Sequence, residues 1–87
     1  MHAFAITSAT QSGTSITVSG TAKDPVTVQL WSAGGSSPTR QGPSQLVTPG
    51  TNGVWTVKFN VPPGSYTVSV DCGGTSGTVP VPYSSSP

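Results

Sequence analysis

The chain has 87 residues, which allows one small domain, and its single cysteine excludes an internal disulfide. The chain has three Lys or Arg, two Asp and a net charge near +1. It therefore has no electrostatic field that would attract nucleic acid or an anionic membrane. The water-facing surface must therefore consist mainly of Ser, Thr, Gln, Asn and Gly. Free cytosolic proteins usually carry about a quarter charged residues, so this composition is more typical of extracellular modules and of particles built from many neutral copies.

Seven short segments of alternating apolar and polar residues predict seven β-strands. They cover residues 3–8, 15–19, 26–30, 45–48, 54–61, 65–72 and 78–83. Turn residues separate these segments about every ten residues, and no stretch has the helical period. We therefore predict an all-β chain folded as a two-sheet sandwich.

The first predicted strand has Phe4 and Ile6 on its inward parity and no charged residue. An uncharged apolar edge strand is a template for pairing with another chain. Phe4 and Ile6 are therefore candidate interface residues, and we expect residues 1–8 to contact neighbouring subunits.

Trp31 follows the third strand on the opposite parity from Val28 and Leu30, which predicts that its side chain lies on the polar face. An exposed indole is a favoured anchor at protein interfaces. Alternatively, a bulge or the following loop covers it. That loop, residues 33–44, is the longest irregular stretch; such loops tend to be functional or mobile, and it adds Arg40 to the interface candidates.

The fifth and sixth strands supply most of the predicted core. Trp55 shares the parity of the inward residues of its strand. Tyr66 comes just after a Pro-Pro-Gly turn, where a tyrosine corner ties down the preceding crossover through the phenol hydroxyl. Cys72 is in phase with the core valines, which predicts a buried, inert thiol.

The last predicted strand follows a flexible connection at residues 73–77. Pro80 and Pro82 confine this strand to a sheet edge because each lacks an amide donor. Tyr83 lies on its inward parity and is a further interface candidate. We expect one domain over residues 1–83 and a Ser-rich tail over residues 84–87, and we expect residues 83–87 to contact neighbouring subunits.

Four segments between residues 14 and 72 carry a resemblance. They are Ser19-Gly20-Thr21-Ala22, Val26-Thr27-Val28, Asn52-Gly53-Val54-Trp55-Thr56-Val57 and Pro63-Gly64-Ser65-Tyr66-Thr67-Val68. They resemble bacterial Ig-like domains of surface proteins, adhesins and phage structural proteins. The resemblance implies a seven-stranded immunoglobulin-like β-sandwich without the core disulfide, because Val68 stands where antibody-type domains have Cys.

The residues needed for catalysis or metal binding are scarce. His2, at a terminus, is the sole histidine, so no base is placed to activate a serine. Asp24 and Asp71 are the sole carboxylates; they could share one end of a sandwich as a glycosidase pair, but turn capping and surface solvation are the favoured interpretation. Two carboxylates are also too few for a tight calcium site. Zinc would need more ligands than His2, Cys72 and one Asp. We therefore expect no enzymatic activity, no metal and no cofactor.

These exclusions favour a structural protein that packs against other proteins. The resemblance implies a small decoration protein of a phage or virus-like particle, located on the virion surface and partnered by the capsid protein, by neighbouring subunits or by further copies of itself. The absence of a recognisable export signal at the N-terminus favours the same setting. The alternative is an extracellular module of a bacterial surface protein or carbohydrate-active enzyme, which binds a glycan or cell surface by stacking Trp31 and a loop tip on sugar.

Overall fold

A computed structural model describes residues 4–32 and 39–84. Residues 1–3, 33–38 and 85–87 lie outside the described residues, and with them part of the predicted first strand, of the 33–44 loop and of the tail. The described chain contains nine strands and no helix. They are β1 (Phe4–Ser12), β2 (Ser15–Ala22), β3 (Val26–Ser32), β4 (Thr39–Arg40), β5 (Gln45–Val47), β6 (Val54–Asn60), β7 (Tyr66–Cys72), β8 (Thr75–Val81) and β9 (Tyr83–Ser84).

The strands form two antiparallel sheets packed together, which confirms the predicted two-sheet sandwich. The four-stranded sheet has the order β6-β2-β1-β9, and the five-stranded sheet has the order β4-β3-β7-β8 with β5 also paired to β3. The prediction of seven strands was wrong for the described residues, because β4 and β9 are additional two-residue strands. Strands this short exist only through their partners, which the alternation within one segment does not reveal.

The core fills the space between the sheets with the inward residues of both. Trp55 is 1% exposed, Tyr66 is 7% exposed and Cys72 is fully buried, as predicted. The Tyr66 hydroxyl donates a hydrogen bond to the Pro62 carbonyl oxygen, which ties the chain before β7 to the start of that strand. The Cys72 thiol lies 3.9 Å from the Asp24 carbonyl oxygen.

Gly20 makes room for the largest core side chain. It lies directly opposite Trp55 in the β2–β6 pair. A Cβ at position 20 would overlap both the Trp55 indole and the Ala5 carbonyl oxygen. Only glycine leaves the indole enough space to lie against the β2 backbone.

β1 continues to Ser12, four residues past its predicted end. Its register with β2 shifts between Ile6 and Ser8, which makes Thr7 the extra residue of a bulge. The bulge moves the inward parity from Phe4 and Ile6 to Ala9, which is fully buried. The alternation is broken at Thr7, so the sequence pattern indicated an end where the strand continues.

The connection predicted as flexible over residues 73–77 is a tight hairpin. Gly73 and Gly74 have φ angles of 59° and 94° and form the turn, so β8 begins at Thr75. Two glycines with positive φ suit a two-residue hairpin turn.

The last part of the chain moves from one sheet to the other. β8 is an edge strand, as Pro80 predicted, and the Val81–Pro82 peptide bond is cis. Tyr83 and Ser84 then pair with Ala9 and Ser8 of β1. Ser84, the first residue of the predicted tail, is thus part of a strand.

Candidate binding face around Trp31

Trp31 lies on the outer face of the five-stranded sheet. Its neighbour Leu30 is fully buried, whereas Trp31 itself is half-buried and directed away from the core, as its parity predicted. The loop contacts the adjacent Gln29 at Gly42. Gln29 Nε2 donates a hydrogen bond to the Gly42 carbonyl oxygen at 3.1 Å. Part of the predicted loop therefore lies on this face without burying the indole completely.

Two polar contacts hold the indole in place. Trp31 Nε1 donates to Ser69 Oγ at 2.8 Å, and Ser69 Oγ is in turn 3.5 Å from the Gln29 carbonyl oxygen that accepts its proton. The second contact is made by Arg40. Its guanidinium carbon lies over the indole ring, 5.6 Å from the centroid, within the range of a cation–π interaction. Arg40 is also the residue opposite Trp31 in the β3–β4 pair.

An open cleft of about 310 Å³ lies beside the indole. Trp31, Thr67, Ser69 and Thr78 line this cleft. In the strand order β4-β3-β7-β8, Arg40 is on one side of β3 and the residues of β7 and β8 are on the other. Arg40 contacts the indole but is not among the described residues that line the cleft. We call the lining the Trp31 cleft, and the lining together with Arg40 the Trp31 face.

The Trp31 face has little charge. Arg40 is exposed, and its guanidinium lies over the Trp31 ring. Asp71 is on the same sheet face but pairs with Thr27, four residues along β3 from Trp31, a separation of about 13 Å at about 3.3 Å per residue. The face offers an aromatic surface, hydroxyl groups and one cation, which are groups for binding.

Groups for catalysis or metal binding do not converge in the described part of the chain. No three His, Cys, Asp or Glu residues of that part lie close enough to hold a metal ion. The hydroxyls of the cleft have no His, Asp or Glu among the residues that line it. A serine or threonine without an adjacent base is a weak nucleophile.

The five predicted interface residues fall into two groups. Trp31 and Arg40 come together on the Trp31 face. Phe4 and Tyr83 are half-buried, lie on β1 and β9, and pack against the core from that side. Ile6 is only 8% exposed and is part of the core, so its side chain offers no contact surface in this structure.

Three residues of the cleft were not singled out from the sequence. Thr67, Ser69 and Thr78 were recognisable only as outward positions of alternating strands. Their meeting with Trp31 depends on the register in which Trp31 pairs with Thr67 and Ser69 pairs with Thr78. A single segment does not contain that register.

Two other clefts, each of about 410 Å³, lie elsewhere on the described surface. One is next to Phe4 and the turn at Gly53, and the other is between Gln45 and Lys58, where Gln45 Nε2 donates to the Lys58 carbonyl oxygen at 2.7 Å. Neither is lined by a tryptophan.

Comparison with protein-family models, with curated proteins and with solved structures gives no match to this chain. Among the described residues there is no helix of the length and hydropathy that would span a membrane. The arguments about function below therefore depend on the residues and their geometry.

Proposed function

We propose that this chain is a non-enzymatic interaction module with an immunoglobulin-like fold, and that the Trp31 face is its binding surface. The observation that carries the proposal is the placement of the indole. Its side chain is half-buried on an outer sheet face, fixed by Ser69 and Arg40, and it borders a recess. Tryptophan and arginine are enriched among the residues that dominate binding energy at protein interfaces.

Two features support the immunoglobulin-like assignment. The neighbours β1-β2-β6 in one sheet and β3-β7-β8 in the other correspond to strands A-B-E and C-F-G of that fold. Tyr66 bonds back to the Pro62 carbonyl oxygen, as the tyrosine of the corner motif does. The chain differs from the constant-type pattern at β5, which pairs with β3 and not with β6.

For the setting, we propose a small decoration protein on the surface of a phage or virus-like particle, bound to capsid protein or to neighbouring subunits. The support is a neutral surface rich in hydroxyls, together with one uncharged strand edge. β9 pairs with β1 at Ser8 and Ala9, and none of the described strands pairs with residues 4–7 on that side. We call residues 4–7 the open edge; such an edge accepts a strand from another chain.

Quantitative mass spectrometry of purified particles tests the setting. The protein should be present at a fixed ratio to the capsid subunit. Ala5→Lys adds a charge to the open edge at an exposed position and should lower incorporation strongly, because lysine on an edge opposes strand pairing. Thr10→Lys is the matched control on the same strand, also exposed, and should be incorporated normally. Incorporation of Ala5→Lys at the wild-type ratio would contradict attachment through the open edge.

The second candidate is a carbohydrate- or cell-surface-binding module of a bacterial surface protein or carbohydrate-active enzyme, in an extracellular location. The Trp31 cleft favours this candidate, because it combines an aromatic wall with hydroxyl groups. The protein would then be retarded on a polysaccharide gel, and it would occur as part of a large parent chain and not in particles.

A further inference from the structure

We propose that the Trp31 cleft binds one neutral pyranose ring, which stacks on the indole and is hydrogen-bonded by Thr67 and Thr78. The inference rests on the proposed role of the Trp31 face as a binding surface. It adds the chemical class of the ligand and the residues that recognise it.

The shape of the cleft comes from three adjacent strands. β7 forms the floor with Thr67 and Ser69, Trp31 of β3 forms one wall, and Thr78 of β8 lies on the opposite side. The Arg40 guanidinium carbon lies over the indole, 5.6 Å from the ring centroid, and the indole is also part of the cleft lining. The indole thus gives the cleft an apolar surface of the kind on which a sugar ring stacks.

Of the three hydroxyl groups of the cleft, one is engaged and two are unbonded within the described part of the chain. Ser69 Oγ accepts a hydrogen bond from Trp31 Nε1 and donates one to the Gln29 carbonyl oxygen, so its proton is used within the protein. The hydroxyls of Thr67 and Thr78 make no hydrogen bond to any of the described residues. Each can donate one and accept two, which matches the hydroxyls of a sugar.

The cleft favours a saccharide over a peptide because its floor has no free backbone groups to offer. β7 is the strand between β3 and β8, and it pairs with both along most of its length. A peptide strand gains affinity from main-chain hydrogen bonds at a free sheet edge. Here recognition must come from side chains alone, as it can for a ring with an apolar face and hydroxyls at its rim.

Charge and size restrict the ligand further. No charged side chain among the described residues lines the cleft, which favours a neutral sugar over an acidic one. The volume of about 310 Å³ is at the low end of the range of about 300–1,000 Å³ that is usual for small-molecule sites. The cleft therefore suits one sugar ring.

A shallow site with one aromatic wall and two free hydroxyls should bind weakly, with a Kd on the order of 1 mM. Display of many copies on one particle would raise the avidity by about 10²–10⁴ when several sites bind the same surface. Weak binding by each Trp31 cleft is thus consistent with display of many copies of the protein on one particle.

Titration of the isolated ¹⁵N-labelled protein with neutral sugars, followed by NMR, tests the inference. The probes are glucose, galactose, mannose, N-acetylglucosamine and their short oligosaccharides, each up to about 50 mM, well above the expected Kd. At least one should shift the Trp31 indole signal and the amides of Thr67 and Thr78 in a saturable way. The buried Trp55 indole signal should not move. Absence of saturable shifts at Trp31 for every sugar would overturn the proposal.

Two variants test the role of the threonines. Thr78→Val removes one hydroxyl at nearly constant shape and should weaken binding about fivefold to tenfold, the loss expected for one hydrogen bond. Thr27→Val changes the same outer face outside the cleft and should leave the affinity unchanged. Equal affinity of Thr78→Val and wild type would overturn the assigned contact. If a proline-rich peptide gave saturable shifts and no sugar did, the proposed sugar ligand would be wrong and a protein ligand would be indicated.

The titration and the particle experiment fail independently. The titration uses the monomer and reports on the Trp31 cleft, whereas incorporation depends on the open edge on the other sheet. Sugar binding by a protein that is absent from particles would contradict the proposed setting and support the proposed ligand. Normal incorporation without sugar binding would support the setting and contradict the ligand.

Discussion

The two tryptophans show how one side chain serves two purposes in one sandwich. Trp55 is 1% exposed, lies against Gly20, and its Nε1 has no hydrogen-bond partner among the described residues. Trp31 is half-buried on the outer face, and its Nε1 is bonded to Ser69. The core gains so much from burying the Trp55 ring that the chain tolerates an unpaired donor there. On the outer face, polar contacts fix the Trp31 ring, which remains half-buried beside the cleft.

The largest expected effect is the loss of Trp55. Trp55→Ala should lower the free energy of unfolding by about 3–5 kcal/mol, because the cavity forms at the centre of a small core. The free energy of unfolding of a domain is typically about 5–15 kcal/mol, and a domain this small lies at or below the lower end of that range. The variant should therefore be largely unfolded at moderate temperature. Urea unfolding followed by circular dichroism measures the difference.

Trp31→Ala is the matched substitution on the outer face. It removes one hydrogen bond and one exposed cation–π contact, which together stabilise by about 1–2 kcal/mol. The variant should fold and unfold cooperatively, and it should lose the binding function of the Trp31 face. If Trp31→Ala destabilised the monomer as much as Trp55→Ala, the division between core and binding face would be wrong.

The next effect sharpens the account of the core. Gly20→Ala should destabilise by about 1–3 kcal/mol, because the added methyl group overlaps the indole and the Ala5 carbonyl oxygen. Trp55→Phe relieves only the overlap with the indole. The double variant should therefore be more stable than the sum of the two single losses predicts. Strict additivity in thermal unfolding would show that the indole does not occupy the space above Gly20.

The contrast between the tryptophans could be predicted because it depends on parity alone. Trp55 shares the parity of Val57 and Phe59, and Trp31 is out of phase with Leu30. Local turn chemistry was also informative, since the Pro-Pro-Gly turn before Tyr66 correctly placed the tyrosine against the core. These features act within one segment, where side-chain direction follows from a period of two.

Features that depend on two segments at once could not be predicted. The bulge at Thr7 becomes visible only in the register with β2, and the move of Tyr83 to the other sheet only in its pairing with Ala9. The same applies to the candidate site. Arg40 was selected as part of a long loop, but its position over Trp31 comes from the β3–β4 pair.

A smaller effect concerns the hydroxyl of Tyr66. Tyr66→Phe removes its hydrogen bond to the Pro62 carbonyl oxygen and should cost about 0.5–1.5 kcal/mol. Tyr83→Phe is the control, because Tyr83 is half-buried and makes no hydrogen bond through its hydroxyl to the described residues. Its change should stay within about 0.5 kcal/mol. Equal losses in the two variants, measured by urea unfolding, would mean that the corner contact does not stabilise the fold.

The smallest expected effect is that of salt, and it compares the two regions once more. Raising NaCl from about 0.05 M to about 0.5 M shortens the range of charge interactions to a few ångströms. Trp55 is part of the apolar core, and the Trp31 face has a charged contact with Arg40. The free energy of unfolding should therefore change by less than about 0.5 kcal/mol, since an exposed cation–π contact is worth only about 0.5–1 kcal/mol in total. In Arg40→Met, which keeps an unbranched apolar stem beside the indole, even this dependence should decrease. If salt lowered the free energy of unfolding of the wild type by more than about 1 kcal/mol, charge pairs would contribute substantially to stability. That result would contradict a fold stabilised by its apolar core.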